Sequence, residues 1–328
     1  MLIRNKSRSP MHKSYNHSVC PPKLGSESIL VVGTARNCGK YITRDVSHLL
    51  TALKPFTNLR WLVIESDSDD DTTERLKDLE SKISGFKFIS LGRLREELPL
   101  RTQRLAYCRN NYIEELKHNR IYEDVKYVIV TDLDGINNSL TESAILSCWV
   151  RDDWAACTAN QRGPYYDVWA LRHYAWSPND WLKQRQFLLQ HNVKVEKAQV
   201  FAKYSRQITI PEDADWINVD SAFGGFAIYR KEAIVNGQYR GINSLGEEIS
   251  EHVTLHKELI SKGYRIFINP KLINSTYNYH TNELRLYNRV RRMGKNGLKY
   301  LMKRITGDSL ADIKKVDCGR PLRERIKL

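Results

Sequence analysis

Two carboxylates, Asp132 and Asp134, stand one residue apart at the end of an apolar run in the sequence. The run Tyr127–Asp132 is typical of a buried strand, and open α/β sheets bind ligands beyond the carboxyl ends of their strands. Carboxylate oxygens at that place suit Mg²⁺ or Mn²⁺, which bridge protein carboxylates to substrate phosphates. An isolated Asp-x-Asp pair is also common as two acids that merely end a strand, so other residues have to support a metal site.

The composition is that of an ordinary globular chain with a strongly basic balance. Of its 328 residues 41% are hydrophobic, and the formal net charge of +14 favours anionic partners. No segment approaches the roughly 20 apolar residues that cross a bilayer, and residues 1–27 lack an apolar signal core. We therefore expect a cytoplasmic protein, able to lie against a membrane. The six cysteines form no C-x-x-C pair, which predicts reduced thiols and no zinc site.

The order of apolar runs predicts a parallel sheet. Strands are predicted at Ser28–Gly33, Leu59–Glu65, Phe86–Leu91 and Tyr127–Asp132, alternating with helices at Tyr41–Leu53, Thr72–Ile83 and Arg101–His118. Such alternation implies right-handed βαβ units. The predicted fold class is α/β, with a mostly parallel, open, Rossmann-related sheet flanked by helices.

The loop after the first predicted strand carries hydrogen-bonding groups suited to a nucleotide, at Thr34, Arg36 and Asn37. Residues 33–40 resemble a phosphate-binding P-loop, but five residues separate the two glycines and Tyr41 stands where Ser or Thr belongs. This disfavours a nucleotide kinase or ATPase. No GxGxxG follows the strand either, which argues against a dinucleotide-dependent oxidoreductase.

Five segments occur in the order typical of the GT-A glycosyltransferases. They are the acidic turn Glu65–Thr72, the helix that bears Arg109, the pair Asp132 and Asp134, Tyr165–Arg172, and Val219–Arg230. The last two are similar to the (F/Y)YDxWxxR and S-x-x-G-G segments of the fungal capsule-associated α-1,3-mannosyltransferase family and its bacterial and viral relatives. The resemblance covers about residues 28–280 and implies a GT-A-like domain, with a nucleotide-binding half at 28–135 and an acceptor half at 136–280.

The resemblance and the chemistry of the residues together give candidate contacts for a nucleotide sugar. The set is Thr34, Arg36, Asn37, Glu65, Arg109, Asp132, Asp167, Trp169, Arg172, Gly224 and Gly225. An aromatic ring beside an acid and an arginine suits a sugar, although a core tryptophan beside an ion pair explains the same residues equally well. The paired glycines permit close backbone approach to a ligand, or form an ordinary tight turn.

Glu251 and His252 begin a predicted amphipathic helix, at the place where inverting GT-A enzymes carry an acidic catalytic base. His252 replaces the Asp of that motif, which leaves Glu251 as the candidate general base. A Glu at a helix N-terminus is also commonly a residue that complements the helix dipole. If the enzyme retains configuration, as the fungal mannosyltransferases do, no such base is required and Glu251 would bind hydroxyl groups.

His280 follows the last predicted strand and is the third candidate metal ligand, with Asp132 and Asp134. An imidazole ligand favours Mn²⁺ over Mg²⁺. Residues 1–27 are predicted to be disordered and residues 281–328 to form a basic helical extension. Within it, Arg285–Arg304 is expected to contact an anionic acceptor or membrane surface, and a solvated helix face explains the same pattern.

The sequence therefore predicts a metal-dependent glycosyltransferase that moves a hexose from a UDP- or GDP-sugar to a glycan or lipid-linked acceptor in polysaccharide biosynthesis. One alternative is a nucleotidyltransferase acting on a sugar phosphate, but its glycine-rich, basic phosphate loop is poorly matched by residues 33–40. The other is a non-enzymatic basic domain that binds a polyanion. No nucleic acid partner is expected.

Overall fold

A computed structural model describes residues 24–276 and Thr281. It contains eight strands: β1 (Ser28–Ala35), β2 (Asn58–Glu65), β3 (Phe86–Ser90), β4 (Val125–Asp132), β5 (Ala156–Gln161), β6 (Ile217–Val219), β7 (Phe226–Arg230) and β8 (Ile266–Ser275). They form one sheet in the order β3-β2-β1-β4-β7-β5-β8-β6. Strands β1 to β4 are mutually parallel, and β7 is antiparallel to both β4 and β5. Strand β8 runs parallel to β5 and antiparallel to β6.

Helices connect and cover these strands. They are α1 (Gly39–Ala52), α2 (Thr72–Lys82), α3 (Arg101–His118), α4 (Glu142–Leu146), α5 (Trp181–Gln190), α6 (Val195–Ala202), α7 (Lys231–Ile234) and α8 (Glu251–Ser261). Alternate residues of β1 enter two separate cores, because successive side chains of a strand point to opposite faces. Leu30 and Val32 pack in the core that contains residues of α3 and α8, whereas Ile29 and Val31 pack with those of α1 and α2.

The predicted fold class is confirmed. All four predicted strands and all three predicted helices of the first half are present, with ends that differ by a few residues: the helix predicted at Tyr41 begins at Gly39. In the order β3-β2-β1-β4, successive strands are added on one side of β1 up to β3, and β4 is then added on its other side. The strand order therefore reverses between β1 and β4, which is where open α/β sheets bind ligands. Thr34 pairs in register with Asp132 at that point, and Ala35 pairs with Glu65.

Several expectations concern residues outside the described part of the chain. His280, the basic extension from 282 onward and residues 1–23 all lie there. The proposed division into domains stays a prediction. In the described part no helix is both long and apolar enough to cross a membrane.

Candidate active site

The Asp-x-Asp pair lies at the carboxyl end of β4, in the centre of the sheet. Asp132 is the last residue of the strand, and its N–H donates to the Gly225 carbonyl at 2.9 Å. Leu133, between the two acids, is buried in the core. Asp134 is exposed, and the Asp132 side chain is 33% exposed. A buried residue between two reachable carboxylates fixes the backbone from which both project.

The electrostatics of this pair suit a cation. Burial, and then the negative charge of Asp134, raise the pKa of Asp132 to about 7. A divalent cation would offset this repulsion, and carboxylate oxygens are the ligands that Mg²⁺ and Mn²⁺ prefer. Across residues 24–276 and Thr281, no three His, Cys, Asp or Glu side chains are grouped to hold a metal by themselves. Two carboxylates fit an ion that takes further ligands from a substrate phosphate or water.

Arg109 joins this pair to the second predicted site. Its side chain is 3% exposed, and its Nη2 lies 3.4 Å from Asp132 Oδ1 while its Nε donates to Glu251 Oε1 at 3.0 Å. The guanidinium also lies over the Phe223 ring, 5.2 Å from its centroid. Nη1 is buried and has no hydrogen-bond partner in the described structure. A buried cation between two carboxylates compensates their charge.

Glu251 and His252 begin α8 as predicted, and both are buried. His252 stacks on Phe223 with ring centroids 3.9 Å apart, and its Nε2 lies 3.7 Å from Glu251 Oε1. Burial and the nearby charge of Arg109 keep the pKa of His252 well below its usual range, so the ring is neutral. Both ring nitrogens lack a hydrogen-bond partner within the described residues. Glu251 thus has an arginine partner and faces Asp132, while His252 is packed against an aromatic ring.

The remaining candidates of the second half are held mainly by the protein itself. Asp167 accepts hydrogen bonds from the N–H of Gly224 at 3.0 Å and of Ala170 at 3.3 Å, and burial raises its pKa. Trp169 Nε1 and Arg172 Nη2 both donate to Asp180 Oδ2 at 3.0 Å. The negative charge of Asp167 acts on Asp132, and that of Glu251 acts on Asp167. Trp169 and Arg172 are instead engaged with Asp180.

The two glycines meet other parts of the chain at close range. Gly224 and Gly225 have φ values of 71° and 85°, a region that strongly favours glycine. A Cβ on Gly225 would lie 2.6 Å from Tyr166 Oη, and one on Gly224 would lie 2.9 Å from Gln161 Nε2. The close backbone approach that the sequence indicated is thus made to the protein's own side chains. This backbone conformation places the Gly225 carbonyl where it accepts a hydrogen bond from the Asp132 N–H.

Arg36 and Asn37, the candidates in the loop after β1, lie at the same carboxyl edge of the sheet but farther along it. Arg36 donates weakly to the Asp67 carbonyl at 3.4 Å, and Asn37 accepts from the Asp69 N–H at 2.8 Å. Glu65 is buried and accepts from the Ser68 N–H at 3.0 Å. These bonds shape the acidic turn that the sequence indicated for a nucleoside.

Asp67, in that turn, was not among the predicted site residues. It is buried with φ at 60°, and its carboxylate lies 3.5 Å from both Arg95 Nε and Arg104 Nε. Its Oδ2 accepts no hydrogen bond from the described residues. The acidic composition of residues 65–71 was the available signal for this position.

A buried amide network, also absent from the sequence-based candidates, fixes the loop that follows β4 from one side. Asn137 Nδ2 donates to the carbonyls of Asp132 at 2.8 Å and Gly225 at 3.0 Å. Its Oδ1 accepts from Asn274 Nδ2 at 2.7 Å, and Asn274 Oδ1 accepts from Gln161 Nε2 at 3.0 Å. All three side chains are buried. Nothing in the local sequence distinguishes them, because their partners are far away along the chain.

Asp45 fixes the same loop from the other side. This buried carboxylate of α1 accepts a 2.6 Å hydrogen bond from the Gly135 N–H. Burial raises the pKa of Asp45 to about 6. An acid at position 45 shares the helix face of Ile42, Val46 and Leu49, so its place on an otherwise apolar stripe was the signal available in the sequence.

Solved structures with a similar fold are known. A mannosyltransferase from Pyrobaculum calidifontis, in complex with GDP-Man and Mn²⁺, has a TM-score of 0.48 and 13% identity, with 78% of this chain and 59% of that chain covered. TarS of S. aureus with UDP-GlcNAc has a TM-score of 0.42 and 14% identity, covering 76% and 59%. Glucosyl-3-phosphoglycerate synthase from Mycobacterium tuberculosis, with Mn²⁺, UDP and phosphoglyceric acid, gives 0.39 and 13%, covering 84% and 81%. The chain thus spans 59% of the length of the first two. No protein-family model and no curated protein sequence matches this chain.

The second histidine of α8 gives a test of how this region is buried. His256 is fully buried between Ser221 Oγ at 2.9 Å and Tyr229 Oη at 2.7 Å, and burial lowers its pKa to about 3. In the unfolded chain this histidine takes up a proton near pH 6.5, whereas in the folded chain it stays neutral down to about pH 3. The contribution of His256 to the free energy of unfolding is therefore fully present above pH 6.5 and decreases as the pH falls towards 3. The variant His256→Gln is expected to be less stable than the wild type at pH 7. Below pH 6, its free energy of unfolding should fall by about 1.4 kcal/mol less per pH unit than that of the wild type.

Denaturant unfolding at pH 7.5, 6 and 5 measures this difference in slope. His191→Gln, a change at the exposed histidine that follows α5, is the control and should keep the wild-type slope. Identical slopes for His256→Gln and the wild type would contradict the burial of a neutral imidazole.

Proposed function

We propose that this protein is a metal-dependent glycosyltransferase that uses a nucleotide-sugar donor. The observation that carries the proposal is the Asp132 and Asp134 pair at the point between β1 and β4 where the strand order reverses. There, burial and then the negative charge of Asp134 raise the pKa of Asp132 to about 7. A divalent cation bound to a diphosphate matches this charge, this donor set and this position.

The roles of the chain's own residues follow from the contacts. Asp132 and Asp134 would hold Mn²⁺ or Mg²⁺, which would neutralise negative charge on a leaving nucleoside diphosphate. Arg109 holds Asp132 and Glu251 in place through one guanidinium. Asp45 and Asn137 bind the backbone on either side of the acids, so the carboxylates are oriented before the donor arrives.

Within the proposed function, the first half of the sheet would bind the nucleotide and the second half the acceptor. The polar turn around Asp67, next to Arg36, offers buried and exposed polar groups for the base or ribose. Glu251 lies on the other side of Arg109, in the acceptor half, where a carboxylate can accept a proton from a hydroxyl. A UDP- or GDP-hexose donor, a glycan or lipid-linked acceptor, a role in polysaccharide synthesis and kinship with the capsule-associated mannosyltransferases are the finer parts of this proposal.

The experiment is a panel of UDP-, GDP- and dTDP-sugars assayed with Mn²⁺ for hydrolysis and for thermal stabilisation. One nucleoside diphosphate sugar is expected to raise the melting temperature and to be hydrolysed, and both effects should disappear with a chelator. A ligand at a hundred times its Kd adds about 2.7 kcal/mol to the folded state, which a thermal shift detects easily.

Nucleoside triphosphates and sugar phosphates belong in the same panel. Stabilisation and pyrophosphate release with these ligands alone would indicate a nucleotidyltransferase and contradict the proposal. Binding of a polyanion that weakens steeply with salt, with no response to any sugar nucleotide, would contradict both enzymatic functions.

A further inference from the structure

The α5–α6 hairpin, residues 181–202, exposes apolar side chains that the other described residues, 24–276 and Thr281, do not cover. Helix α5 contains Trp181 and four more large apolar side chains, yet none of its residues is buried. Of the eleven exposed large apolar side chains in the described structure, six lie between residues 174 and 208: Tyr174, Leu182, Phe187, Val195, Phe201 and Ile208. Such a concentration marks an interaction surface, since monomeric proteins scatter exposed apolar residues singly.

Hydrogen bonds at the start of α5 attach the hairpin to the rest of the protein. The exposed apolar side chains therefore belong to an ordered element. Asp180 caps α5 by accepting from the Leu182 N–H at 2.8 Å, and the same carboxylate binds Trp169 and Arg172. Helix α6 buries Ala198 and Ala202. The hairpin thus projects from the acceptor half of the sheet with its outer faces uncovered by residues 24–276.

The charge of the hairpin indicates what covers it. Residues 181–203 contain five cationic side chains, Lys183, Arg185, Lys194, Lys197 and Lys203, and a single acid, Glu196. One of the five, Lys183, is paired with Glu247 outside the hairpin. Phe187 and Phe201 are 57% and 60% exposed among these cations. Aromatic and aliphatic side chains flanked by lysines are the composition that binds the interface of an anionic bilayer, because the rings enter the headgroup region while the cations meet lipid phosphates.

We propose that the outer face of the α5–α6 hairpin docks on an anionic lipid bilayer. In this arrangement Phe187 and Phe201 enter the bilayer at the level of the headgroups. If the proposed function is correct, this orientation brings a membrane-borne acceptor to the half of the sheet that contains Glu251. The lipid contact itself depends only on the hairpin and needs neither donor nor metal.

The test uses the full chain and vesicles of phosphatidylcholine with or without 30% phosphatidylserine, a composition chosen for the assay. The double variant Phe187→Ser/Phe201→Ser is expected to bind the anionic vesicles about tenfold or more weakly than the wild type. The matched control is Ile121→Ser/Val150→Ser, which removes two apolar side chains that are 53% and 74% exposed elsewhere on the surface. It should bind as the wild type does.

Hydrogen exchange locates the contact independently of affinity. Amides of residues 181–202 are expected to gain protection when anionic vesicles are added, and to gain none with phosphatidylcholine alone. The proposal is overturned if the hairpin stays unprotected while the protein is vesicle-bound, or if the double variant binds as tightly as the wild type. A vesicle-independent dimer that the double variant abolishes would assign the face to a second copy of the chain, and would also overturn it. None of these outcomes bears on donor hydrolysis, so the proposed function is tested separately.

Discussion

Replacing Asp134 with alanine is expected to abolish metal-dependent turnover of a sugar nucleotide while leaving the fold intact. Asp134 is exposed, so its removal should change the free energy of unfolding by no more than about 0.5 kcal/mol. The loss of activity should be nearly complete, because the ion would lose one of its two protein carboxylates. Asp132→Ala should have almost the same effect on turnover.

Mn²⁺ binding measured by titration calorimetry in the absence of donor separates the metal site from the chemistry. Asp134→Ala should bind Mn²⁺ far more weakly than the wild type. Asp152→Asn removes an exposed carboxylate before the start of β5, away from the carboxyl ends of the strands, and should bind Mn²⁺ and turn over donor as the wild type does. Full activity of Asp134→Ala at saturating Mn²⁺ would rule out this assignment.

Glu251→Gln is expected to lower kcat by about 10²–10⁴-fold, with little change in donor KM, if the products show inversion. The amide can still accept the hydrogen bond from Arg109 Nε, so the contact at 3.0 Å can be retained while the negative charge is lost. A general base acts in the transition state, which places the effect in kcat. Steady-state kinetics and analysis of the anomeric product measure both parts of this expectation.

A purely structural role for Glu251 gives a different pattern. Removing one partner of a buried ion pair costs about 3–5 kcal/mol, so activity would then follow the folded fraction as measured by denaturant unfolding. Glu258→Gln, on the same helix but bound to the Gln238 N–H at the protein surface, is the matched control. An inverted product together with nearly full activity of Glu251→Gln would place the base elsewhere.

The sequence by itself determined the first half of the sheet and the place of the acidic pair. Apolar runs that form β1 to β4 and the helices between them carry a local periodicity, which is set by neighbours along the chain. Parallel strands joined by helices all end at one edge, so the alternation alone put Thr34, Glu65 and Asp132 together. The start of α8 at Glu251 followed from the same local signals.

Only the tertiary structure decided how the two halves meet. Arg109 binds Glu251 across 142 positions of sequence, and Asn274 binds Asn137 across 137. Contacts of this separation leave no periodic signal, because each partner is compatible with many local contexts. The same reason applies to Asp45, whose bond to Gly135 needs α1 and the loop after β4 to be packed side by side.

Packing also determined which partners the individual candidates have within the protein. Trp169 and Arg172 matched a sugar-binding pattern in the sequence, yet both donate to Asp180 at the base of the α5–α6 hairpin. A sequence records which groups can bind a ligand, whereas the fold determines which of them are already bound by the protein. Burial and the nearness of Asp134 raise the pKa of Asp132, and no residue type or spacing expresses that environment because it arises from the assembled sheet.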